Sequence, residues 1–391
     1  SNISNAIGAG LSSTTFFGGT RTPPTTDYLG GSRTLPAGSN PDMGAIENTL
    51  SIRAAITFTV KTDGSGDYTV IQTAIDASTT AAGDTVLVYP GTYTENINYN
   101  GKNIMVKSVS GAETTIINPA NNSLSIVLFN NNEASSAKLK GFTLSGGGDI
   151  SGSAINFHVS DAVVENCIIT NNNQNTADGT SGSVVFRGTG GLSNCLIYNN
   201  YTGIFFENGN VSPEIINCTI VYNDHGGLVS SSYTSLPIIK NCILYGNEYD
   251  NAEGYLDISY SIVDGVTGTG NIFTDPLFVD AANGDYSLTN YSPAIGTGTV
   301  TGAPSTDINS TARPSPANSS PDMGAYENSR PSQRPKAGAV RDFPATDVDW
   351  QNSASTLSAN WDAFTDNGTL TYEYSASTST SNLTNVVDWT A

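Results

Sequence analysis

Positive charge is what this chain most lacks: 15 Lys and Arg stand against 35 Asp and Glu, a formal charge of −20. Neutralising phosphates takes clustered Lys and Arg, so nucleic acid is excluded as a partner. Charge of either sign is sparse, at 13% of residues, roughly half the usual share. Met occurs only 3 times, and the chain is poor in the Leu, Glu, Lys and Arg that long helices want, which excludes a coiled coil. No apolar run approaches the roughly 20 residues of a membrane-spanning helix. Gly (40), Tyr (18) and abundant Asn, Ser and Thr fill the gap. That mixture suits many short strands joined by turns.

The chain repeats itself on two scales. Arg33-Thr-Leu-Pro-Ala-Gly-Ser-Asn-Pro-Asp-Met-Gly-Ala-Ile-Glu-Asn48 returns as Arg313-Pro-Ser-Pro-Ala-Asn-Ser-Ser-Pro-Asp-Met-Gly-Ala-Tyr-Glu-Asn328, an offset of 313 − 33 = 280. Upstream, Ala6-Ile7-Gly8 answers Ala294-Ile295-Gly296 at an offset of 288. The chain therefore reads as the tail of one module (1–49), a complete module (50–329), and then a different region. No signal peptide precedes it, and the expectation is a piece of a longer tandem array.

Within the complete module, Asn166-Cys-Ile-Ile, Asn194-Cys-Leu-Ile, Asn217-Cys-Thr-Ile and Asn241-Cys-Ile-Leu recur at spacings of 28, 23 and 24. An aliphatic residue stands three before each cysteine and another two after it. Five residues after the cysteines come Asn172, Asn200, Asn223 and the Gly246-Asn247 pair. One turn of a coiled parallel sheet per repeat accounts for this, with like positions stacked about 4.8 Å apart. Aliphatic columns fill the interior, and Asn enters the left-handed backbone that a corner demands. The spacing predicts a ladder of Asn166, Asn194, Asn217 and Asn241 amides at one corner. Cys167, Cys195, Cys218 and Cys242 should lie just inside it as small buried hydrophobes.

Residues 58–328 resemble a right-handed parallel β-helix of the pectin-lyase-like superfamily, in its secreted bacterial form. The opening Val60-Lys-Thr-Asp-Gly-Ser-Gly-Asp-Tyr-Thr-Val-Ile-Gln-Thr-Ala-Ile-Asp-Ala77 and Gly83-Asp-Thr-Val-Leu-Val-Tyr-Pro-Gly-Thr-Tyr-Thr-Glu-Asn96 are similar to the start of pectinesterases. Ile71, Ala74 and Ile75 fall at helical spacing, which predicts a short helix capping the open end. The closing Asn271-Ile-Phe-Thr-Asp-Pro-Leu-Phe-Val-Asp280 and Pro321-Asp-Met-Gly-Ala-Tyr-Glu327 resemble the ends of surface proteins that carry an anchor further along. The expected fold class is all-β: a right-handed parallel β-helix with an N-terminal cap helix, followed by a partial β-sandwich. Residues 330–337 read as a linker. Residues 338–391 resemble the first half of a fibronectin type III-like domain, through Trp350, Trp361, Tyr372, Tyr374 and Trp389.

The resemblance to the enzymes stops before their chemistry. The Gln-Asp-Thr, Asp-Phe-Ile-Phe-Gly, Asn-Thr-Asp and Gly-Asp-Asp segments expected of pectinesterases and polygalacturonases are missing from the body. Between 141 and 300 the only basic residues are Arg187 and Lys240. The best acid–base grouping is Arg187, Glu207, Asp224 and His225, a carboxylate and histidine pairing suited to proton transfer. Tyr198, Tyr222 and Tyr245 sit near one phase of the repeat, where exposed rings would stack on sugars. Asp63, Asp67, Asp264 and Asp275 are the acidic loop positions that would hold calcium; no other cofactor is indicated. Asp322 and Glu327 recur as Asp42 and Glu47 at a module end, which points to structural closure.

These readings together predict a non-catalytic extracellular protein, secreted or at the cell surface, structural or adhesive. Its expected partners are a polysaccharide or neighbouring copies of itself, and repetition would multiply weak sites. The alternative is a polysaccharide lyase or glycoside hydrolase of the same superfamily.

Overall fold

The computed structural model describes residues 53–148, 152–172, 182–207, 212–231 and 236–330, plus a few short strands beyond them without side chains. The assigned module tail at 1–49, the linker and the sandwich region therefore lie outside the described side chains.

Three sheets run the length of the module, with nine, eight and seven strands, and sequence neighbours within each sheet lie one full turn apart. Every pairing between turns is parallel; Val163–Glu165 pairs in register with Lys138–Lys140 on one side and Gly191–Ser193 on the other. The architecture is thus the all-β parallel solenoid that the repeat implied. Register keeps like with like. Leu139, Val164, Leu192, Ile215 and Ile239 form one buried column of the first sheet. Ile169, Ile197, Ile220 and Leu244 form another in the second sheet. In the third sheet Phe129, Phe157, Phe186 and Phe206 stack with centroids 5.2, 4.5 and 5.6 Å apart. Parallel rungs hold these rings face to face at nearly the strand spacing, so the interior is ordered as well as dry.

Corners follow from backbone geometry. Asn166, Asn194, Asn217 and Asn241 have φ between 51° and 55°, the left-handed region that Asn tolerates. The next residue in each turn is a cysteine, and all four thiols are buried and unpaired. Cys195 and Cys218 occupy adjacent rungs, with the Cys195 N–H donating to the Cys218 Sγ at 3.4 Å. Burial pushes the Cys167 and Cys218 thiols far up from their ordinary range.

The cap helix spans Ile71–Asp76 and buries Ile71, Ala74 and Ile75, as their spacing required. Both oxygens of Glu95 accept backbone N–H groups at its start, from Ile71 and Gln72 at 2.9 Å. The Lys102 ammonium binds the Ile75 and Ala77 carbonyls at its end. Negative charge at the first turn and positive charge at the last suit the helix dipole.

The closing segment departs from expectation. Its first residues, Asn271 and Ile272, pair with the last rung at Ser261–Val263, and the rest folds back along the flank of the solenoid. The hairpin of Phe278–Asp280 and Asp285–Leu288, with Ala294, Ile295 and Met323, packs on Leu196, Val221, Ile243 and Ile262, the outward side chains of the second sheet. That row is apolar, so without a cover the sheet would expose it to water.

Candidate functional site

The asparagine columns divide the work differently from the expected ladder. The continuous ladder is the one five residues after the cysteines. The Asn172 amide donates to the Asn200 Oδ1 at 3.0 Å, Asn200 to Asn223 at 3.0 Å, and Asn223 to Asn247 at 2.8 Å. These side chains turn inward, where only carbonyls and each other can satisfy them. At the predicted corner the contacts run in pairs instead, Asn194 to Asn166 at 3.5 Å and Asn241 to Asn217 at 3.2 Å. Those amides face outward and grip the closing strap. Asn166 binds the Asp307 and Ile308 carbonyls, Asn194 that of Thr306, Asn217 those of Asp322 and Gly324, and Asn241 that of Thr299.

Asp322 and Glu327 belong to the same strap. The two Asp322 oxygens accept the Gly296 and Asn328 N–H groups at 2.8 and 2.7 Å. Glu327 accepts those of Ser315 and Asp322 and lies 3.3 Å from the Arg313 guanidinium. Arg313 also donates to the carbonyls of Asp322, Gly324 and Ala325. Burial first, and then the neighbouring Glu327, push the Asp322 carboxyl up to about 7. Asp307, whose carboxylate accepts the N–H groups of Asn309, Thr311 and Glu327, completes the network.

The acid–base grouping does not assemble. Arg187 ends a third-sheet strand, Val184–Arg187, and is paired with Glu207 one rung on. Its guanidinium also donates to the Asn156 Oδ1 at 3.1 Å. Asp224 and His225 lie at the opposite end of that sheet, just before Gly226–Ser230. The five residues Gly226–Ser230 separate His225 from Ser231, which is level with Glu207, and six steps of extended chain span about 20 Å. The sequence places these residues in neighbouring rungs but does not say which end of a strand each occupies. His225 is stacked between Tyr201 and Tyr249, at 5.1 and 4.9 Å.

Nor do Tyr198, Tyr222 and Tyr245 form an open strip. Tyr286 of the closing hairpin lies 5.1 Å from the Tyr198 ring and 5.9 Å from that of Tyr222. Tyr222 takes the left-handed corner itself, at φ 51°, one step out of phase with the other two. All three pack with the cover of the second sheet.

The acidic loops make turns. Asp63 accepts the Ser65 N–H, Asp67 accepts the N–H and hydroxyl of Thr59, and Asp275 accepts the Leu277 N–H. Asp264 is exposed in a separate loop. Among the described residues no three His, Cys, Asp or Glu side chains converge as a metal site, and no helix is long and apolar enough to cross a membrane.

One concave feature was not foreseen. A cleft of about 270 Å³ opens where the third sheet turns into the first, lined by Asn132, Glu133, Val159, Ser160, Asp161, Arg187, Gly188 and Thr189. Asp161 accepts the Thr189 hydroxyl across it. Val159 is half exposed on its rim with φ 56°, a conformation costly for a β-branched residue. No repeated residue marks this corner in the sequence, so it had no signal there.

Among known proteins, a solved structure described as pectin methylesterase from carrot shares 16% identity, over 58% of this chain and 88% of that chain, with a TM-score of 0.37. No curated protein matches the chain. Residues 125–292 match the family described as right handed beta helix region, and the coil built by the three sheets is a right-handed parallel β-helix.

Proposed function

We propose that this chain is a non-catalytic structural or adhesive module that works outside the cell, in which the β-helix serves as a stiff rod. The observation that carries this reading is the separation of the candidate acid–base groups. Arg187 and Glu207 neutralise each other at one end of the third sheet, and Asp224 and His225 lie at the other. General acid–base work needs both groups within hydrogen-bond reach of one reacting atom. The most elaborate polar network, around Arg313, Asp322 and Glu327, instead ties the flank together.

The test is incubation of the chain with a panel of neutral and acidic polysaccharides, followed by assays for unsaturated products and for new reducing ends. No turnover is expected on any member. Turnover on one of them overturns the reading. The cleft beside Arg187 favours a second role that is compatible with the first, the holding of a saccharide by hydroxyl contacts to Asp161, Asn132 and Arg187. Weakened retention of the Asp161→Ala variant on the polysaccharide that retains the parent would support it.

A further inference from the structure

The turn from the second sheet into the third carries one ring per rung over its last three rungs. Tyr201, His225 and Tyr249 stack along the axis with centroids 5.1 and 4.9 Å apart, close to the strand spacing. Backbone bonds set that register: the His225 N–H donates to the Tyr201 carbonyl at 2.7 Å, and the Tyr249 N–H to that of His225 at 3.0 Å. One or two residues before each ring, the inward ladder of Asn200, Asn223 and Asn247 fixes the turn. The column is therefore ordered before any ligand arrives, which lowers the cost of binding.

Tyr249 ends the column. The strand that follows it, Asp250–Glu253, is the last of the third sheet, and among the described residues no ring stacks on its far side. Tyr249 is 72% exposed, more than any other large apolar side chain described, so the ring face turned away from His225 meets water. An exposed aromatic face on a rigid column is a place for a ligand ring.

Charge narrows the ligand. Glu248 and Asp250 flank Tyr249 in sequence, Asp224 stands one rung back, and all three are exposed. Residues 241–312 hold nine Asp and Glu and no Lys, Arg or His. Among the described residues no basic side chain pairs with these three carboxylates. Such a field repels uronates and draws cations. An ammonium group near a tyrosine face gains from the ring quadrupole as well. A neutral sugar would use the ring and leave the carboxylates idle, whereas an amino sugar uses both.

The geometry points to the open face of Tyr249 as a stacking site for an amino sugar, its ammonium group held by Glu248 and Asp250. The sugar ring takes the place of a fourth member of the column, and the ligand class is the cationic, deacetylated form of an amino-sugar polymer. The site lies at the opposite strand end from the cleft beside Arg187. It stands whether or not that cleft holds a saccharide.

The test is calorimetric titration of the full chain at about pH 5.5, where sugar amines are protonated and carboxylates ionised. The probes are a glucosamine tetramer, its N-acetylated counterpart, tetragalacturonate and tetralysine. The glucosamine tetramer binds, its acetylated form binds about tenfold more weakly for want of charge, and tetragalacturonate gives no heat. Tyr249→Ala weakens the glucosamine tetramer about tenfold at an unchanged Tm, and Tyr249→Phe keeps the parent affinity. Asp161→Ala, in the cleft, binds it like the parent. The proposal is overturned if the glucosamine tetramer does not bind, if Tyr249→Ala binds it as tightly as the parent, or if acetylation makes no difference. Tetralysine that binds as tightly as the glucosamine tetramer and also loses affinity in Tyr249→Ala would show that the face takes basic peptide, and would overturn the assignment to a sugar.

Discussion

The Arg313 guanidinium lies 3.3 Å from the Glu327 carboxylate, and neither side chain is reached by water. A buried ion pair adds little over an apolar pair of the same shape, but removing one partner leaves a charge stranded. Three strap carbonyls also rely on Arg313. Arg313→Ala should therefore cost about 3–5 kcal/mol, the usual loss when half of a buried pair is removed. Urea unfolding followed by circular dichroism measures it, and a loss below about 1 kcal/mol, the scale of an exposed pair, would mean the strap is held by its apolar contacts alone.

Asp322 gives the strap a pH dependence of unusual sign. Its carboxyl is raised to about 7 in the folded chain, by burial and by Glu327, against an unfolded value of about 3.9. Between those values the native state binds more protons than the unfolded state, so this group's contribution falls as pH rises. Its stabilising effect is complete below about pH 4 and lost above about pH 7, in the window set by those two pKa values. Asp322→Asn should remove that part of the slope. The measurement is the Tm of parent and variant from pH 4 to 8, compared as a difference because carboxylates such as Glu165, which burial raises but Lys138 and Lys140 pull down further, drive the parent the other way. A difference that does not change with pH would rule out titration of Asp322 in this range.

The two asparagine columns should respond unequally to truncation. In Asn200→Ala the Ile169 and Tyr198 carbonyls and the Asn172 N–H lose their partner in the interior. Three unsatisfied buried groups should cost about 3 kcal/mol or more. Asn194→Ala removes a bond to the Thr306 carbonyl at the strap and a long contact to Asn166, for a loss of about 1 kcal/mol. Denaturant midpoints of the two variants decide it; equal losses would mean that the ladder is no stronger than the strap contacts.

The same asparagines show how far the sequence could be read. Period and phase were legible, because register in a parallel coil forces like residues into one column: Cys195 and Cys218 stand in adjacent rungs, and Ile71, Ala74 and Ile75 bury the cap helix. Direction was not legible. An asparagine in left-handed backbone at a corner and one five residues later both recur once per turn, and only the strap's position decides which amide faces outward. The tyrosines misled for the same reason, since Tyr286, some 40 residues beyond Tyr245 in sequence, covers them. Strand ends posed the third difficulty. Arg187 and His225 lie close in rung number but at opposite ends of one sheet.

Val159 offers the last prediction. It sits at the corner beside the Arg187 cleft with φ 56°, and about half its side chain faces water. A β-branched residue in that conformation stores on the order of 1–3 kcal/mol of strain. Its carbonyl accepts the Asn132 N–H at 3.1 Å, a bond that any residue at this position would keep. Asn tolerates the left-handed region, and Asn132, itself at φ 58°, shows that the neighbouring corner admits it. Replacement by Gly would relieve the strain but add about 0.5–1 kcal/mol of unfolded-state freedom. Val159→Asn avoids that cost and should stabilise the fold by about 1 kcal/mol. Thermal unfolding of Val159→Asn and Val159→Gly, with the asparagine variant melting higher than both the glycine variant and the parent, is the expected order. A parent that melts above both would show that the exposed isopropyl group packs against the cleft wall strongly enough to outweigh the backbone strain.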